Sequence, residues 1–173
     1  YIELKSTCEH EIVMGNLAGR QAPNTCMTNG MVLLGYKAGY SLASNKGDGT
    51  VAIGDQSFSK TSDGKNNVAV GSYTLYSGAT NNNVALGYQA GYSHATGTHN
   101  TFIGRHAGYS DLSGFYNTFV GDDAGYYNAA SENTGYGTPS DESPARRPKN
   151  TVKTTIVMKG CTTLHATPSA VCL

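Results

Sequence analysis

The five histidines, the four cysteines and the aspartates that follow the recurring glycines are the side chains whose types and spacing could carry chemistry in this sequence. His94, His99 and His106 are close enough in the chain to suggest imidazoles gathered on a metal ion, with His10 and His165 near the two ends. A metal site needs those nitrogens to converge, but the three stand at different offsets from a recurring glycine, so they read as solvent-facing turn residues. Asp122 and Asp123 follow Gly121, and Asp55 holds the place of Asp122 after Gly54. A calcium-binding roll would repeat its aspartates in every coil; here they recur in two, and surface solvation accounts for them. Cys8, Cys26, Cys161 and Cys172 lie at the chain ends and lack the close pairs of a zinc site. They read as disulfides stapling the non-repeating ends in an oxidising setting, the pairs Cys8–Cys26 and Cys161–Cys172 being the most local of three pairings; free thiols are the alternative. There is no phosphate-binding loop of the G-x-x-x-x-G-K-[ST] kind and no G-x-S-x-G elbow. No catalytic residue, metal or cofactor is therefore expected.

The elements that would position these groups are built from an unusual composition. Lys plus Arg and Asp plus Glu both total 12, so there is no cationic surplus to bind nucleic acid or an anionic membrane surface. Charged residues are only 14% of the chain, while Gly (22) and Tyr (12) are abundant, which favours tight turns over helices. No apolar run is long enough to insert into a membrane as a helix. The start at Tyr1, without Met or a leader pattern, reads as a processed or excised segment.

Self-comparison reveals a repeat. A short apolar triplet ending in glycine recurs as Ile12–Gly15, Val32–Gly35, Val51–Gly54, Val68–Gly71, Val84–Gly87, Thr101–Gly104 and Thr118–Gly121, with a degenerate copy at Thr134–Gly137. These glycines are 20, 19, 17, 16, 17, 17 and 16 residues apart, so the period settles near 17. A small residue stands three positions after each glycine, usually another glycine at four, and tyrosine at five in Tyr40, Tyr76, Tyr92, Tyr109 and Tyr126. Asparagine stands four positions before it in Asn67, Asn83, Asn100, Asn117 and Asn133.

One all-β architecture explains every column: a β-solenoid of seven to eight coils in which equivalent residues stack at about the 4.8 Å spacing of paired strands. Asparagines stacked at a corner can form amide ladders, and tyrosines stacked on one another cover apolar surface. The structural glycines are Gly35, Gly54, Gly71, Gly87, Gly104 and Gly121. Within each triplet the first and third residues share one face, which we expect to fill the interior. The middle residues, Leu33, Ala52, Ala69, Ala85, Phe102 and Phe119, would then form an outward apolar ribbon for self-association, unless another strand of the same coil covers them. The expected organisation is an N-terminal cap at 1–10, the solenoid at 11–137, a Pro- and charge-rich linker at 138–150, and a C-terminal strand and disulfide-closed loop at 151–173 serving as cap or joint.

The segments NNVALGYQAGYSHATGTHNTFIGRHAGYSDLSGFYNTFVGDDAGY and TVAIGDQSFSKTSDGKNNVAVG resemble the head repeats of trimeric autotransporter adhesins, and the Gly-Tyr-x-Ala-Gly-Tyr arrays resemble those of phage and viral fibres. The resemblance spans residues 11–137 and implies a homotrimeric β-roll at a cell or virion surface that binds a host or matrix molecule. The coils here are longer than those head repeats, and no heptad stalk or membrane anchor is visible. The expected function is thus a non-enzymatic adhesive or structural fibre, or else a filament subunit joined end to end. A ligand would be read at the turns around Tyr88, Arg105 and Asp122. Two minor alternatives are an ice-binding face, suggested by Thr101, Thr118 and Thr134, and a left-handed β-helix acyltransferase using His106. The second lacks the further hexapeptides expected in each coil. No N-x-[ST] sequon is present.

Overall fold

The computed structural model describes residues 11–20, 30–43, 46–78, 80–94, 96–110, 113–127, 131–132 and 134–136. Each apolar triplet forms a three-residue strand: β1 (Ile12–Met14), β2 (Val32–Leu34), β3 (Val51–Ile53), β4 (Val68–Val70), β5 (Val84–Leu86), β6 (Thr101–Ile103), β7 (Thr118–Val120) and β8 (Thr134–Tyr136). They pair in chain order into one parallel eight-stranded sheet, and Val51 aligns with Val68, Ala52 with Ala69, and Ile53 with Val70. The result is a β-solenoid of about six turns with a period near 17 residues. Val, Ile and Thr favour the extended backbone because branching at Cβ restricts their rotamers.

Strand termination is a backbone effect. Gly87 has φ +129°, and a Cβ built there would lie 2.6 Å from the carbonyl oxygen of Gly104 in the next coil. Since that neighbour is backbone and is held by its own inter-coil bonds, it cannot step aside. An L side chain would meet both a strained φ and a steric block.

Ladder bonding continues past the strands. The turn amides of Gln56, Tyr73, Gln89, His106 and Asp123 donate to carbonyls of Tyr36, Asp55, Ser72, Tyr88 and Arg105, each one coil earlier. These five donors adopt φ between 51° and 57° without being glycine. The left-handed conformation costs a non-glycine residue of order 1 kcal/mol, which an inter-coil hydrogen bond of similar net worth offsets. The left-handed conformation is not confined to glycine: these half-buried turn residues adopt it, as do the fully buried Phe58 and Leu75.

The interior corrects the expected orientation of the strands. The proposed outward ribbon of Leu33, Ala52, Ala69, Ala85, Phe102 and Phe119 is the core: all but Phe119 are fully buried, and Phe119 is 3% exposed. The first and third residues of β2 to β5 and of β7 are half-buried and point away. The alternation itself was sound; the parity was inverted. Each strand is only three residues long, so just one side chain, the middle one, projects into the narrow coil. The opposite wall comes from the turn, including Ala38, Ser57, Thr74, Ala90, Ala107 and Ala124, all buried.

Filling this narrow interior couples two columns. Where the strand centre is large, as in Leu33, Phe102 and Phe119, the residue six positions later is Gly39, Gly108 or Gly125. Where the centre is Ala52 or Ala69, that turn position is Phe58 or Leu75, both fully buried. A Cβ at Gly39 would sit 2.8 Å from Leu33, and one at Gly108 or Gly125 would overlap the ring of Phe102 or Phe119. The coil of Ala85 and Gly91 is small at both places and is filled by its neighbours: a Cβ at Gly91 would lie 2.7 Å from Leu75 and 2.9 Å from Phe102. Interior volume is thus held nearly constant while its source alternates between strand and turn.

Candidate functional site

The asparagine column forms a buried spine. Asn67, Asn83 and Asn117 are fully buried and Asn100 is 1% exposed. Oδ1 of Asn67, Asn83 and Asn100 accepts the backbone N–H of its successor: Asn83 donates to Asn67 at 2.9 Å, Asn100 to Asn83 at 3.0 Å, and Asn117 to Asn100 at 2.8 Å. The side-chain Nδ2 of Asn67, Asn83 and Asn100 donates across the turn to the carbonyls of Thr80, Gly97 and Gly114. The ladder is therefore mainly side chain to backbone, with one direct amide pair, Asn100 to Asn83 at 3.1 Å. Thr50 takes the same place one coil earlier, its Oγ1 donating to Gly64 and accepting from the Asn67 N–H. Asn133 lies outside the described residues.

Three outer surfaces remain to do work. The first is the strand face, where the third-position column runs Met14, Leu34, Ile53, Val70, Leu86, Ile103 and Val120, all aliphatic or thioether. Ile12, Met14 and Ile103 are 51%, 40% and 37% exposed. Eight strands at about 4.8 Å, with two outward residues roughly 7 Å apart on each, give a flat ribbon of a few hundred Å2. An apolar patch of that size marks an interaction site more often than a chance exposure.

The second surface is a tyrosine stack. Tyr76 and Tyr92 have ring centroids 5.0 Å apart and 11° between planes; Tyr92 and Tyr109 are 5.0 Å apart at 4°; Tyr109 and Tyr126 are 4.7 Å apart at 15°. The Lys60 ammonium lies 5.0 Å from the Tyr76 ring centre at one end, and Tyr127 packs edge-on against Tyr126 at the other. Ser59 stands in the column between Tyr40 and Tyr76, so Tyr40 is separated from the run. Partial burial, reinforced by neighbouring phenols, pushes the Tyr92 and Tyr126 hydroxyls above their ordinary pKa of 10.0.

The third surface is a charge ladder set by the period. Lys46 pairs with Asp63 at 3.0 Å, Asp48 with Lys65 at 2.6 Å, Arg105 with Asp122 at 2.7 Å, and His106 with Asp123 at 2.8 Å, every pair 17 residues apart. The hydrogen bond from Arg105 holds the Asp122 carboxyl below its usual range, and the same bond raises the Arg105 guanidinium. The Lys46, Lys65 and Arg105 pairs are largely exposed and contribute little to stability, but their opposite charges one coil apart oppose a slip in register. The sequence carried this signal as complementary charge at an offset of 17.

The remaining candidates separate. His94 departs from the expected solvent-facing turn: it is fully buried, Nε2 lies 2.9 Å from the Gly97 carbonyl, and its ring packs edge-on against Phe102. It stands seven residues after Gly87, the place that Leu42 holds after Gly35, and both side chains are fully buried. His99 is exposed and stacks on Tyr116, while His106 belongs to the Asp123 pair, so the three do not converge. Among the described residues no group of three His, Cys, Asp or Glu could hold a metal ion, and no helix is long and apolar enough to cross a membrane. The four cysteines, His10, His165, the cap, the linker and the C-terminal segment fall outside the described residues.

Comparison with protein-family models, with curated proteins and with solved structures finds no match to this chain.

Proposed function

We propose that this chain is a non-enzymatic, surface-exposed structural and adhesive protein, a β-roll segment of an adhesin head or virion fibre that works outside the cell as a homotrimer. The single observation that carries this reading is the aliphatic strand face, which includes Ile53, Val70, Leu86 and Ile103 and runs the length of the sheet. The face repeats with the strand spacing, and another solenoid of the same pitch matches it ridge for ridge. Counting the first and last turns, this solenoid has seven to eight coils. Continuous inter-coil bonding with small, obligate glycines suits a rigid spacer better than a catalyst that must open and close.

The test is the mass of the full chain by light scattering, with electron microscopy of the same sample. A discrete trimer supports the proposal, and the double variant Ile53→Lys, Leu86→Lys then yields a monomer with unchanged strand circular dichroism. A clean monomer of the parent chain overturns it. A second reading, a filament joined end to end, is favoured by the open linear order of the sheet: among the described residues it ends at β1 and β8, and parallel strands can be continued by a neighbour's. Long filaments decide for that reading.

A further inference from the structure

The tyrosine stack has a property that its packing role does not require. A phenylalanine ladder would cover the same apolar surface and stack with the same 4.7–5.0 Å spacing. Tyr76, Tyr92, Tyr109 and Tyr126 instead each carry a hydroxyl, and among the described residues none of these four hydroxyls makes a hydrogen bond to the protein. A neighbouring phenol differs: Tyr73 is engaged by Gln56 Nε2 at 2.7 Å. The four rings are partly buried, so their faces are used against each other while the hydroxyl-bearing edges meet solvent. This makes a straight row of neutral groups, each able to donate and accept, advancing one coil at a time along the axis.

The row sets conditions on what it can hold. The partner must be extended and straight, because the row follows a rigid ladder. It must offer hydroxyl or ether groups at intervals near the strand spacing of about 4.8 Å. It need not be charged: the cationic end is occupied by Lys60 over Tyr76, and beside the other end Arg105 and His106 are paired with Asp122 and Asp123. An extended polypeptide on the row would advance about 3.3 Å per residue and fall out of step. A nucleic acid would require cationic groups that are absent from the row. In an extended β-1,4-linked glycan each residue advances by one pyranose ring, close to one strand spacing, and presents hydroxyls along its edge at every step.

We propose that the Tyr76–Tyr92–Tyr109–Tyr126 edge is a binding site for a linear, neutral, β-linked glycan chain lying parallel to the solenoid axis. A flat row without walls suits one chain at the surface of an insoluble polymer better than a short soluble oligosaccharide, which would need an enclosing cleft. The site requires only the stacked coils of one copy, so it stands or falls independently of the trimer.

The test is retention of the full chain on insoluble cellulose, chitin and β-1,4-xylan, with an α-linked dextran gel as control. The key variant is Tyr92→Phe with Tyr109→Phe, which keeps both rings in the stack and removes two hydroxyls. We expect retention on at least one of the β-linked polymers and none on dextran. We further expect binding roughly tenfold weaker in the double variant, the scale of one to two hydrogen bonds, at an unchanged melting temperature. Failure of the parent chain to bind any of the three polymers overturns the proposal, as does equal binding by the double variant. Loss of the trimer with binding retained would refute the oligomeric reading and leave this one standing.

Discussion

Replacing Asn100 by alanine should be among the most damaging single changes to a polar residue of this chain. The side chain is 1% exposed. Its Oδ1 satisfies the Asn117 N–H at 2.8 Å, and its Nδ2 reaches the Gly114 carbonyl at 2.9 Å and Asn83 Oδ1 at 3.1 Å. Alanine leaves a buried donor, the Asn117 N–H, and a buried acceptor, the Gly114 carbonyl, in the following coil. Each such orphan costs about 1–3 kcal/mol, so the combined loss is about 3–5 kcal/mol, with a small cavity term besides. For an array of this size that corresponds to a fall in Tm of roughly 10–20 °C. The assay is thermal unfolding followed by circular dichroism, with Asn82→Gly as control. Asn82 is exposed at φ 60°, a conformation that glycine accepts, so the control should shift stability by less than about 1 kcal/mol. A fall in Asn100→Ala no larger than in the control would refute the buried-spine argument. In that case the asparagine column would be a turn preference, with no part in holding coils together.

Two further outcomes follow from the same geometry. Gly108→Phe alone should prevent folding, and Phe102→Ala alone should lose about 3–5 kcal/mol; combined, they recreate the Ala52 and Phe58 arrangement and should recover much of the stability, read as a large favourable coupling in a denaturation double-mutant cycle. Alkaline pH tests the tyrosine stack: because the folded-state pKa values of Tyr92 and Tyr126 lie above 10.0, their contribution is fully present below pH 10 and is lost as pH rises through the raised values. Phenolate absorbance should therefore show a late-titrating fraction that merges with the rest on unfolding, and its absence would place these rings in open solvent.

The chain by itself determined the period, the strands and the columns. A triplet such as Val51–Ile53 ahead of Gly54, recurring about every 17 residues, has no arrangement other than stacked coils that satisfies its glycines and its asparagines together. Tertiary structure decided which face of each strand is inside. Leu33, Ala52, Ala69 and Ala85 are no more apolar than the residues flanking them, so alternation defines two faces but not which of them is buried; only Thr101 and Thr118, beside Phe102 and Phe119, hint at the outer face. That choice belongs to the turn. The left-handed residues after each strand fold the chain back so tightly that only the middle side chain meets the opposite wall, and the glycine six positions later must yield when that side chain is large. The burial of His94 was decided in the same way, by the Phe102 ring it packs against, which no local pattern around His94 encodes. Local spacing reports what repeats along one chain; burial depends on how much volume two distant stretches of that chain leave between them.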